Sequence, residues 1–121
     1  MNMLGYEKLG HIPKKLFHFT LSDNVDKIYD DSLLKCDSFG YVYLTETLED
    51  AEKFANRYAK IQSIDIKNFS ILELDTRELD LDLDKLYRST DHNPKYFLGA
   101  KAIAYNDDLE IADFIEYNFY G

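Results

Sequence analysis

Apolar and polar positions alternate from Lys15 to Thr20, so Leu16, His18 and Thr20 share one face of a predicted strand, with Phe17 and Phe19 on the other. Ser22 then supplies an N-cap for a short helix ending near Asp31, with Val25, Ile28 and Tyr29 on one face. Leu33 and Leu34 anchor the connection, and Gly40 opens a second strand from Tyr41 to Leu44. Thr47 and Asp50 stand at near capping-box spacing at the start of a second helix. Leu48, Ala51, Phe54, Ala55 and Tyr58 form its apolar face, opposite Glu49, Glu52, Lys53 and Arg57. Phe69 to Asp75 reads as a strand. Leu79, Leu81 and Leu83 alternate with Asp80, Asp82 and Asp84, which predicts a hairpin partner or a bent continuation with a solvated acidic face.

The remainder reads as a turn at Asp91 to Pro94, a short apolar strand from Ala100 to Tyr105, a turn at Asn106 to Asp108, and a last strand from Phe114 to Tyr120. Gly5, Gly10 and Pro13 mark residues 1–14 as a loosely ordered lead-in, leaving 15–121 as a single domain. The order strand, helix, strand, helix, then several strands gives an α+β fold, with two short N-terminal helices packed on a mostly antiparallel split sheet.

A length of 121 residues gives room for one core and no separate substrate domain. The net charge of −9 opposes non-specific binding to nucleic acid or to an anionic membrane and fits a basic protein partner. Ten Tyr and eight Phe without Trp imply an aromatic-rich core and some exposed tyrosines. The single Cys36 rules out an internal disulfide and a cysteine-based zinc site. With no apolar run of signal-peptide or membrane-span length, the expected setting is soluble and cytoplasmic.

Four segments carry a family likeness: His18-Phe19-Thr20, Asn24 to Ile28, Gly40-Tyr41-Val42-Tyr43-Leu44-Thr45, and Ala51-Glu52-Lys53-Phe54-Ala55. Together they resemble the ADP-ribosyltransferase fold, in its diphtheria-toxin-like and poly-ADP-ribose-polymerase branch. Ala100 to Ile111, followed by Phe114-Ile115, is similar to that family's closing strands. The resemblance implies NAD as substrate, bound between the first two strands, with transfer of ADP-ribose to a macromolecular acceptor as the activity. It assigns His18 to the adenosine ribose, Thr20 to support of the same strand, Tyr43 to stacking on nicotinamide, and Phe54 to the same pocket. Where the family carries its catalytic Glu, this chain aligns Lys101. A lysine brings the wrong charge to a carbon that develops positive charge as the glycosidic bond breaks. Glu110 and Glu116 are the candidate substitutes, Glu110 being the one assigned to catalysis.

Blander readings stand beside these. A histidine on a strand is more often packed than a ligand, and Tyr43 and Phe54 read most simply as core aromatics. The Asp80-Asp82-Asp84 series lacks the glycine of a calcium loop. His92 has no second histidine at ligand spacing, and Cys36 lacks a neighbouring His or a basic cluster that would lower its pKa, so no metal site or thiol nucleophile is expected. The alternative function is a non-enzymatic acidic binding protein or inhibitor that covers a basic, nucleic-acid-binding surface of a partner protein.

Overall fold

Every strand pairing among the described residues is antiparallel. The computed structural model describes residues 6–89 and 100–119. Its strands are β1 (Tyr6–Lys8), β2 (Lys15–Leu21), β3 (Leu33–Leu34), β4 (Val42–Leu44), β5 (Phe69–Asp75), β6 (Leu86–Ser89), β7 (Ala102–Tyr105), β8 (Leu109–Glu110) and β9 (Ile115–Asn118), with helices α1 (Val25–Asp31) and α2 (Leu48–Gln62). One sheet runs β1-β6-β7-β4, a second β2-β5-β9, and a two-stranded ladder joins β3 to β8. A single bridge, Phe17 to Thr45, ties β2 to β4 and so joins the two larger sheets. The chain is therefore α+β on a mostly antiparallel frame with two helices.

The main core fills the space between the sheets. Leu16, Leu72 and Leu74 come from one sheet and Val42, Leu44, Leu86, Ile103 and Tyr105 from the other, with Val25 of α1 beside them. Leu16, Leu72, Leu74 and Leu86 are wholly excluded from water, and burial of each such side chain is worth about 1.5–3 kcal/mol. The opposite face of β2 and β5 packs on α2, where Phe17 and Ile71 meet Ala51, and Phe19 and Phe54 lie with parallel planes. α2 begins as its sequence indicates, for the Thr47 hydroxyl accepts from the Asp50 amide at 3.1 Å. It ends at Ser63, whose φ of 55° is left-handed.

Several expectations are corrected. Residues 6–8, inside the supposed lead-in, form β1 and pair with β6. Ser22 does not cap α1; it opens a short 3-10 turn through Asn24, and its hydroxyl bonds that of Ser70. Tyr29 lies 64% exposed rather than on the packed face of α1. α2 is fifteen residues long and not short. The leucine–aspartate alternation is not a strand: Asp75 and Asp82 accept from the amides of Arg77 and Asp84 and so cap successive 3-10 turns, 76–78 and 83–85. Strand β6 follows these turns, where the sequence reading had none. The expected turn at Asp91 to Pro94, and His92 with it, lies outside the described residues.

Candidate functional site

Phe17 and Thr45 exchange both backbone hydrogen bonds, each at 2.8 Å. Continuing that register would set Phe19 against Tyr43, and the next pair of ladder bonds would form there. No such backbone bond forms, because β2 and β4 part at this point. The imidazole of His18 occupies the opening, with Nδ1 at 2.8 Å from the Tyr43 carbonyl oxygen. A carbonyl only accepts, so Nδ1 must carry the hydrogen. Burial holds the imidazole pKa below its usual value, outweighing the opposing effect of the bond to Tyr43. The ring is therefore neutral near pH 7, and Nε2 is a bare acceptor with no hydrogen bond among the described residues. His18 is only half-buried as a residue because one edge of it lines a recess.

That recess has a volume of about 230 Å³. Pockets that enclose drug-sized ligands span roughly 300–1,000 Å³, so it has room for a sugar and its phosphate rather than a whole dinucleotide. Its floor is Ile28, Leu33 and Leu34, and its rim carries Thr20, Asn24, Lys27, Asp31 and Lys35. Thr20 joins His18 because they are two apart on a strand. Asn24, Lys27, Ile28 and Asp31 join each other because the spacings of three, four and seven fall on one side of a helix. Lys27 and Asp31 stand 4.0 Å apart and largely exposed, a pairing that water screens. Sequence reading did not single out Lys27, Asp31 or Lys35; the helical spacing from Asn24 to Asp31 was the signal that could have found the first two.

Of the four residues assigned by resemblance, His18 and Thr20 share this recess, whereas Tyr43 and Phe54 do not, and neither does the candidate acid Glu110. Tyr43 and Phe54 line a second recess of about 200 Å³, with Phe17, Phe19, Tyr58 and Ala102. His18 alternates with Phe17 and Phe19, so it points to the opposite face from this aromatic recess. The Tyr43 phenol is bonded to that of Tyr6, and burial, then that bond, push its pKa well above the ordinary tyrosine value. It stays protonated. Glu110 lies in a third recess, of about 770 Å³, lined with Asp80, Asp82, Asp107 and Asp108. The carboxylate on the His18 face is instead Glu116: Leu72 stands opposite both residues in the ladders. Glu116 accepts from the Ser70 hydroxyl at 2.9 Å.

No protein-family model matches this chain, and no curated protein matches it.

The chemistry must therefore be read from the groups themselves. An acceptor nitrogen, a hydroxyl, an amide, the Lys27 ammonium beside the Asp31 carboxylate, and the Lys35 ammonium around an apolar floor suit a ligand that combines hydroxyls, some negative charge and a little apolar surface. The aromatic recess suits a flat uncharged group. Among the described residues no helix is long and apolar enough to cross a membrane.

Proposed function

We propose that this chain binds NAD or an ADP-ribose-containing nucleotide through its ribose, in the recess beside His18. The observation that carries the reading is the bond from His18 Nδ1 to the Tyr43 carbonyl, which leaves Nε2 to accept a hydrogen from a ribose hydroxyl. Thr20 and Asn24 extend the polar rim, and Lys35 supplies positive charge for phosphate. The ADP-ribosyltransferase-like assignment belongs to this proposal, supported by the order of the four motifs and by the antiparallel α+β frame.

Binding is supported further than turnover. Glu110 stands in a recess apart from His18, so the geometry lends no support to its acting on a ribose held there. Calorimetric titration of the full chain with NAD and with ADP-ribose tests the reading. Saturable heat in the wild type, with affinity at least about tenfold weaker in His18→Ala, is expected. Silence at millimolar ligand in a folded wild type refutes it.

The acidic recess favours a second reading, a non-enzymatic cover for a basic partner surface. Four aspartates and Glu110 surround it, and Lys85 offsets one of them through Asp107 at 2.7 Å. Charge-driven binding of this kind weakens steeply with salt, and affinity indifferent to ionic strength would exclude it.

A further inference from the structure

The proposed ribose site has a chemical polarity that follows from the Tyr43 carbonyl. Because that oxygen claims the hydrogen on Nδ1, the atom His18 offers to a ligand is a lone pair on Nε2. A hydroxyl can donate to a lone pair. A phosphoryl group at neutral pH offers mainly acceptor oxygens and negative charge, and two acceptors facing each other repel.

We propose that the His18 recess selects a nucleotide ribose whose 2′,3′-diol is free and rejects one whose 2′-hydroxyl bears a phosphoryl group. This rests on the reading of the recess as a ribose site and adds a rule of specificity to it, with His18 as the discriminating residue.

The other charged groups of the recess act in the same direction or not at all. Asp31 adds a second acceptor on the α1 side. Lys27, which could otherwise serve a phosphate on the diol, lies nearest this same carboxylate at 4.0 Å. Lys35, which follows β3 directly, also lines the recess and is the cation left for phosphate on the 5′ side of the sugar. Accepting a 2′-phosphate would require a second proton on the imidazole, and burial opposes that charge. Thr20 and Asn24 are neutral and can turn to donate or accept, so they do not reverse the preference.

Three probes on the full chain separate the outcomes: ADP-ribose, its 2′-phosphorylated form and its 2′-deoxy form, each titrated calorimetrically at the same salt. The 2′-phosphorylated ligand should bind at least about tenfold more weakly than ADP-ribose, and the 2′-deoxy ligand about fivefold more weakly, the range for a lost or opposed hydrogen bond. His18→Gln, whose side chain can donate as well as accept, should narrow the gap between ADP-ribose and the 2′-phosphorylated form to within about threefold. If that variant fails to fold by circular dichroism, the wild-type series still decides. Equal or tighter binding of the 2′-phosphorylated ligand overturns the selection rule while leaving the ribose site standing. Absence of any ADP-ribose binding removes the site and the rule together.

Discussion

The carbonyl of Tyr43 is satisfied by the side chain of His18, at 2.8 Å, in the place where the backbone amide of Phe19 would stand had the ladder continued. One histidine thus does two things at the split between the sheets. It closes a main-chain acceptor that parting strands would leave open, and in doing so it fixes which of its nitrogens faces outward.

The two residues of this bond should behave differently when changed. His18→Ala removes both the acceptor at the recess and the donor to the carbonyl, and ADP-ribose affinity should fall at least about tenfold, the loss of a hydrogen bond to a partly enclosed group. Tyr43→Phe keeps the carbonyl, which belongs to the main chain. Its affinity should stay within about twofold of wild type, while stability drops by about 0.5–1.5 kcal/mol for the bond to Tyr6. Calorimetric titration together with urea unfolding separates these effects. A large loss of affinity in Tyr43→Phe would mean that the phenol, and not the imidazole, holds the ligand.

Folding should also register the buried imidazole. The His18 pKa in the folded chain lies below the value of 6.5 it has when unfolded. Between those two values the unfolded state binds more protons, so stability rises with pH there. The contribution is fully present above pH 6.5 and is lost as pH falls from 6.5 toward the folded pKa. Urea unfolding from pH 4 to 7 should show a smaller slope below pH 6.5 in His18→Gln than in wild type. An identical slope would place the histidine in water.

Which of these features could be read in advance follows from how each is encoded. β2, β5 and α2 carry their own period and, in α2, the Thr47 cap, so local pattern suffices. β1, β3, β6 and β8 span two to four residues each and exist because of partners distant in sequence, which no local period reports. The aspartates from Asp80 to Asp84 misled because their alternation with leucine has the period of a strand, whereas Asp82 is spent on capping a 3-10 turn. At the site, His18 and Thr20 fall together by strand alternation alone. Whether Tyr43 joins them depends on the register of β2 against β4. The Phe17–Thr45 bridge sets Tyr43 with Phe19, and a slip of one residue would have set it with His18.

The ends of α2 should respond in opposite directions. Thr47→Ala removes the acceptor for the Asp50 amide and should cost about 1 kcal/mol. Ser63→Gly relieves a left-handed residue at φ 55° and should stabilise the fold by up to about 1 kcal/mol. Thermal unfolding of the two variants beside wild type checks both signs.

Glu110→Gln should leave ADP-ribose affinity unchanged to within about twofold, since a surface charge outside the recess acts only through screened water. A clear loss in this variant would bring the acidic recess into the nucleotide site.

The most direct measurement is a long-range nitrogen–proton correlation spectrum of the histidine rings at pH 7, recorded without and with ADP-ribose. For His18 it should show hydrogen on Nδ1, a bare Nε2, and a shift of the Nε2 resonance that saturates as ligand is added. Hydrogen found on Nε2, or an Nε2 resonance that does not move at millimolar ADP-ribose, would contradict the assignment of this recess to a ribose.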